Sequence, residues 1–523
     1  MNTVNSGRWI RRGIALCIVA AILLIGWQLL ERPFVNVVVP AGADSVRLGL
    51  TAPDGTATTT KITKTSKIRL NSGTYTVAYF KGATAVGFSE AHIKVGFSQS
   101  IKGTVVSPTS KLSPVMHQHA DLVSPLGKGY LYVDNVTRSI SYVDAAGTRD
   151  MSQQFLLQQI DPQDSSFGGS YSTVIAMQPT RDGAVVVTTT AAVFLVKSPT
   201  DIQALPPSFD AFLNFTGSSY DPSTNRVFLL STYHREIYYY DLGKIGSPKV
   251  LAKSPLDVNR INANGGKVIV YFDDIPSLEP GVIAAYGMNR QLAPIVIDAT
   301  TGKTLKTFTG WEGTTQAAIS QNGAYVVLKK KFATVMTVRE LSGTASYTIP
   351  ASDTNTILWQ HDSLYFARDN GMWSVTPAQT KGTLTFVAES SSPIIRLMTS
   401  TDQIIATTNT NFIFTVVASS TDVSHTIGTT LRGLTLESSD YFIGFADFGS
   451  TAQVTIETKG DYTNGLDDAS VAASKVKQYN EGLAALRTYA TAPGITVSQK
   501  DTNISTPFES AGLPADDGGS TPL

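Results

Sequence analysis

Gly129-Tyr130-Leu131-Tyr132-Val133-Asp134 leads, across the polar stretch 135–138, into Ser139-Ile140-Ser141-Tyr142-Val143-Asp144-Ala145-Ala146-Gly147. Two short runs rich in β-branched and aromatic residues flank a polar joint, and an Asp-headed turn closed by glycine ends the unit. The same phrase returns at 225–230, through 232–235, to Glu236-Ile237-Tyr238-Tyr239-Tyr240-Asp241-Leu242-Gly243. It returns again at 266–271, followed by Pro294-Ile295-Val296-Ile297-Asp298-Ala299-Thr300-Thr301-Gly302. Weaker copies are 183–188 with 192–197, 323–328 with 335–339, 363–367 with 372–375, 403–407 with 412–417, and 441–445 with 453–458.

Successive copies lie roughly 40 to 50 residues apart, the period of a four-stranded propeller blade. One such unit cannot bury both of its faces, so its neighbours must stack around an axis. A β-helix has a shorter period, and two packed sandwiches would not keep one period over so much chain. The reading is an all-β protein whose main body, 115–458, is a seven- or eight-bladed β-propeller, with the last blade closed by a strand from near 116–123. Plentiful Gly, Ser, Thr, Val, Tyr and Phe agree with this class.

Leu131-Tyr132-Val133-Asp134-Asn135 and Val296-Ile297-Asp298-Ala299-Thr300-Thr301-Gly302 resemble the strands of YVTN/WD40-like β-propellers. That resemblance implies a blade, not an activity. The Trp-Asp dipeptide of the WD40 class is absent, as are the Ser-x-Asp-x-Gly-x-x-Trp box of sialidases and repeated tryptophan-docking motifs.

Upstream, residues 13–30 form a charge-free apolar run preceded by Arg8, Arg11 and Arg12. Eighteen residues at 1.5 Å each span about 27 Å, close to the hydrocarbon thickness of a bilayer. The arginines place residues 1–12 in the cytoplasm and the bulk of the chain outside it, with Trp9 and Trp27 near the two interfaces. The expectation is a single-pass cell-membrane protein. A cleaved signal peptide is the alternative, but its core is shorter and ends on small residues, whereas Trp27-Gln28-Leu29-Leu30 closes this run. Cys17 is the only cysteine, so an intrachain disulfide is excluded.

Between the anchor and the repeats, 34–106 reads as a small β-sandwich with strands at 34–39, 45–50, 61–68, 74–80, 91–95 and 101–106. Ile68-Arg69-Leu70-Asn71-Ser72-Gly73-Thr74-Tyr75-Thr76-Val77 resembles the Leu-x-x-Gly-x-Tyr-x-Val hairpin of PEGA-type domains, surface sandwiches of bacterial envelope proteins. The resemblance implies a spacer, here a stalk on the membrane. A Ser/Pro-rich linker, 107–114, follows. After the repeats, 464–491 reads as an amphipathic helix with Val476, Tyr479, Leu483, Leu486 and Tyr489 on one face. Residues 492–523 read as a disordered tail.

Lys plus Arg equals Asp plus Glu at 41 each, and no basic stripe appears, which argues against nucleic acid as a partner. No Gly-x-Ser-x-Gly elbow, phosphate-binding glycine loop or calcium loop occurs, so no catalytic residue is assigned. His117, His119 and Asp121 would share one face of a single strand, a weak candidate metal site. The long insertion 273–292 carries Asp273, Asp274, Glu279, Tyr286 and Arg290, and with Trp311 it is the preferred contact site. The reading is a noncatalytic binding or scaffold protein for an envelope protein or glycan. The alternative is an exported, lactonase-like hydrolase with a metal in the central channel.

Overall fold

In a computed structural model the described residues are 32–51, 57–96, 98–117, 120–134, 139–155, 174–188, 192–206, 215–231, 236–253, 260–271, 293–330, 333–350, 356–377, 383–390, 392–400, 403–408, 412–418, 438, 440–447, 452–458, 469–489, 495–500 and 521–522. The chain divides into two compact units, one of 1–107 joined by the short segments 332–336 and 348–353, the other of the remaining residues.

The first unit contains β1 (Phe34–Val37), β2 (Ser45–Thr51), β3 (Ala57–Ile62), β4 (Ser66–Arg69), β5 (Gly73–Lys81), β6 (Thr84–Ile93) and β7 (Gln99–Ile101). They form two sheets, β3-β2-β5-β6 and β4-β1-β7. The stretch 61–68, expected as one strand, is divided between β3 and β4, which belong to different sheets. The Leu-x-x-Gly-x-Tyr-x-Val signature is likewise not a hairpin within one sheet. It carries the chain from β4 in one sheet to β5 in the other. Leu70, Tyr75 and Val77 are buried along this crossing. The Tyr75 hydroxyl donates to the Asn71 carbonyl at 3.1 Å, pinning the corner from inside.

The second unit opens with β8 (Ser110–His117). Six four-stranded sheets follow, each hydrogen-bonded in chain order. The first is β9 (Ala120–Leu126), β10 (Gly129–Asp134), β11 (Ile140–Asp144) and β12 (Gly147–Asp150). The second is β13 (Val174–Thr180), β14 (Gly183–Thr188), β15 (Val193–Ser198) and β16 (Asp201–Ala204). The third is β17 (Phe215–Asp221), β18 (Arg226–Ser231), β19 (Glu236–Asp241) and β20 (Lys249–Lys253). The fourth is β21 (Arg260–Asn264), β22 (Lys267–Tyr271), β23 (Ile295–Asp298) and β24 (Thr304–Thr307). The fifth is β25 (Thr314–Ile319), β26 (Tyr325–Lys330), β27 (Val335–Glu340) and β28 (Ser346–Pro350). The sixth is β29 (Thr356–Gln360), β30 (Ser363–Arg368), β31 (Gly371–Thr376) and β32 (Thr383–Glu389).

A last sheet begins with β33 (Ile394–Ser400), β34 (Gln403–Thr408) and β35 (Phe412–Ala418), then takes β8 as its fourth strand. The closing strand is therefore 110–117 rather than 116–123, and the connection expected over 107–114 is largely strand. Sequence-distant ends meet here, with Phe412 opposite His117 and Ala418 opposite Ser110.

The sheets form a closed ring, as their shared cores show. Leu131, Val133 and Ile140 of the first sheet pack with Met177, Val186 and Phe194 of the second. Equivalent clusters join the second to the third, the third to the fourth and the fourth to the fifth. Tyr325 of the fifth stacks on Trp359 of the sixth, and another cluster joins the sixth to the last. Val123, Tyr132 and Val143 meet Ile405 and Met398, which returns the last sheet to the first. This is a β-propeller. Middle strands such as β14 and β18 are buried on both faces because each face meets a neighbouring sheet, whereas the outer β16 and β20 are largely exposed. Trp373 on β31, 2% exposed, stacks on Phe386 with ring centroids 4.7 Å apart.

The hairpin expected as one more copy, β36 (Tyr441–Asp447) with β37 (Ala452–Thr458), opens no sheet of its own. It extends the last sheet beyond β8, with Ala446 opposite Met116. Helix α1 (Ala469–Tyr489) then leads to β38 (Ile495–Lys500), which runs parallel to β37. Residues 495–500 are thus strand where a disordered tail is expected. β39 (Thr521–Pro522) completes the edge. α1 lies on β36 and β37, burying Tyr479 and Leu486. Gly482 permits this approach, since a Cβ there would stand 2.9 Å from Ile456 Cγ2. No helix among the described residues is long and apolar enough to cross a membrane, and the run 13–30 lies outside them.

Candidate functional site

The inner strands of the ring mix polar residues among apolar ones, and their polar side chains bind neighbour to neighbour. Gln178 on β13 donates to the Ser218 carbonyl of β17 at 3.2 Å. Ser219 accepts from the Ala263 amide of β21 at 2.8 Å. Asn262 accepts from the Ile319 amide of β25 at 2.9 Å, and Asn264 donates to the Ile319 carbonyl at 3.3 Å. Trp359 Nε1 on β29 donates to the Ala318 carbonyl at 3.1 Å, and Thr356 accepts from the Leu397 amide of β33 at 2.9 Å. Inner strands cannot pair by a ladder across the axis. These bonds satisfy backbone groups that would otherwise face the channel unpartnered.

Two openings share this wall. At the C-terminal ends of the inner strands a cavity of about 430 Å³ is lined by Arg181, Tyr220, Asn264, Gln321, Trp359 and Thr399 among others. Its groups are held to the frame. Arg181 Nη2 donates to the Pro222 carbonyl at 3.1 Å, and the Tyr220 hydroxyl donates to Asn225 Oδ1 at 2.9 Å. Burial pushes the Tyr220 hydroxyl pKa up, with Arg181 acting in the opposite direction.

At the N-terminal ends a cavity of about 500 Å³ is lined by Arg260, Tyr271, Thr315, Gln316, Thr356 and Arg396 among others. Arg260 opens β21 opposite Tyr271, the last residue of β22. Arg396 stands near the start of β33, and both arginines are exposed. Neither lining contains an Asp, Glu or His among the described residues. Arg260 and Arg396 thus line one concave mouth, and the planar fork of a guanidinium is shaped to take a carboxylate or phosphate.

Asp273, Asp274, Glu279, Tyr286 and Arg290 lie outside the described residues. Trp311 lies between β24 and β25, half-buried against Ile269, Val296 and Phe308, with Lys330 Nζ 5.7 Å from its ring centroid. It is packed into the wall and does not line either opening. His119 is outside the described residues. His117 ends β8 and Asp121 belongs to β9, strands of different sheets, so the single-strand alternation behind that candidate does not hold. Among the described residues no three His, Cys, Asp or Glu group to hold a metal.

No family model matches the chain, and no curated protein matches it. Among solved structures it is similar to a chain of the mitotic checkpoint complex at 11% identity and TM-score 0.41, over 60% of this chain and 97% of that one. It is similar to virginiamycin B lyase from Staphylococcus aureus at 9% identity and TM-score 0.40, over 59% and 98%. The similarity to YCF48 bound to D1 peptide is 8% identity and TM-score 0.41, over 60% and 98%. The propeller assignment rests on the sheet order and shared cores of this chain itself.

Proposed function

We propose that this chain is a membrane-anchored, extracytoplasmic, seven-bladed propeller that binds an envelope protein or glycan and catalyses nothing. Residues 13–30 would hold it in the cell membrane with residues 1–12 in the cytoplasm, and the PEGA-like unit 34–106 would follow the anchor along the chain. Its contact site is the mouth carrying Arg260 and Arg396, and what it takes there is an anionic group of the partner. The observation behind this is that two arginines line one cavity together with the hydroxyl and amide groups of Thr315, Thr356 and Gln178. The alternative, an exported hydrolase with a channel metal, would need carboxylates or imidazoles converging on the axis.

The test is photo-crosslinking in native membranes from Thr315, at the arginine mouth, and from Thr399, at the opposite one. The proposal expects a discrete adduct from Thr315 that disappears in Arg260→Glu/Arg396→Glu. The same adducts from both positions, indifferent to the charge reversal, would remove it.

A further inference from the structure

The neutral total of the chain hides a segregation of charge. Between Arg32 and Ser107 stand nine Lys or Arg against three Asp or Glu, although the whole chain carries 41 of each sign. The first unit is strongly basic, and the remainder is correspondingly acidic.

Part of that excess lies on one surface, the outward face of β4-β1-β7. Register sets Phe34 opposite Arg69 and Asn36 opposite Lys67 and Ser100. Strand alternation turns Val35, Val37 and Ile101 into the core. Phe34, Lys67, Arg69 and Ser100 remain exposed on the other side, Phe34 at 42%. Arg69 lies 4.3 Å from the centroid of the Phe34 ring and Lys67 Nζ lies 4.9 Å from it. No residue of these three strands is an Asp or Glu. An exposed aromatic ring flanked by two cations suits a headgroup layer, where the ring meets the interface and the cations meet lipid phosphates.

Chain length supplies the second argument. Phe34 follows Leu30, the last residue of the apolar run, by four positions, which at full extension reach about 14 Å. The headgroup layer is about 5–7 Å thick on each side, and the Debye length at physiological salt is about 8 Å. Lys67 and Arg69, flanking Phe34, must then lie where lipid charge is felt.

We propose that the outward face of β4-β1-β7 docks on an anionic bilayer surface, with Phe34 among the headgroups and Lys67 and Arg69 on lipid phosphates. This rests on reading residues 13–30 as an anchor. The first unit would thereby be held at a fixed attitude to the membrane.

The experiment uses the full chain with p-benzoyl-phenylalanine at position 34, reconstituted into nanodiscs of phosphatidylcholine alone or mixed equally with phosphatidylglycerol. Lipid adducts are read by mass spectrometry. Expected is a roughly tenfold higher yield in the anionic discs, abolished by molar salt and by Lys67→Glu/Arg69→Glu, and kept by Lys67→Arg/Arg69→Lys. Equal yields in the two lipids, or a yield indifferent to charge reversal, would overturn the proposal. So would a yield that is the same in both lipids yet falls when a soluble sulfated glycan competes, which would assign the face to a polyanionic glycan. If the chain does not enter discs, the anchor reading fails instead. Flotation of the unlabelled chain with phosphatidylglycerol vesicles at low salt then decides the face alone. Binding lost in Lys67→Glu/Arg69→Glu supports it, and absence of binding overturns it.

Discussion

The two ends of the propeller channel are made of the same strands and built to opposite ends. Where the inner strands finish, carboxylates are spent on the frame. Asp221, fully buried, accepts from the Ser223 amide and hydroxyl, from the Thr224 hydroxyl, and from the Gly266 amide of the next sheet. At the same face Asp298 takes the amides of Thr300 and Thr301 and the Thr301 hydroxyl. Where the inner strands begin, Arg260 and Arg396 line the mouth, whereas the lining at the other end has the single, frame-bound Arg181 among the described residues. One end is therefore framed by turns that its own carboxylates hold, and the other is lined by an arginine pair.

This contrast is open to direct attack, beginning with the strongest effect. Asp221→Ala should cost about 3 kcal/mol, because it removes charged hydrogen bonds and leaves the Gly266 amide unpaired. Chemical denaturation would measure it. A loss well under 1 kcal/mol would mean the buried carboxylate does not hold the two sheets together. Gly302→Ala should cost about 2 kcal/mol. Gly302 has φ +71°, and a Cβ there would stand 2.1 Å from the Leu251 carbonyl oxygen of the adjacent sheet. A thermal midpoint equal to that of the unsubstituted chain would show that the Asp-headed turn tolerates a side chain.

Asp298→Ala should cost about 1 kcal/mol at neutral pH, with a definite pH dependence. The Thr301 amide, ahead of the Thr301 hydroxyl and the Thr300 amide, holds the Asp298 pKa below its ordinary value. A depressed native pKa gives stability that is complete above the unfolded pKa and lost as pH falls through the native one. The gap between the two proteins should therefore persist at neutral pH and close below about pH 4. A gap that is constant across this range would remove the carboxylate from the account.

Much of this architecture was legible, and the division between what was and was not is physical. The paired runs around Leu131 and Tyr142, Leu229 and Tyr238, and Ile269 and Val296 are middle strands buried on both faces, so they read as apolar hairpins with one period. Inner strands answer to the channel instead. Asn262, Asn264 and Gln178 are polar because they tie sheet to sheet, and in sequence they look like loop. Arg260 and Arg396 were missed for the same reason. The available signal was positional, since an inner strand must lie one turn before each apolar hairpin. Tyr441 to Thr458 imitated a further repeat because a hairpin added to a sheet edge under a helix also needs apolar strands. The corner at Tyr75 read as a hairpin because alternation cannot tell a strand pair from a crossing between sheets.

The most direct measurement compares stability and partner capture in Arg260→Glu/Arg396→Glu. The account predicts a thermal midpoint within the equivalent of about 0.5 kcal/mol of the unsubstituted chain, together with loss of the crosslinked partner from Thr315. A protein that unfolds on charge reversal, or one that keeps the same partner undiminished, would contradict it.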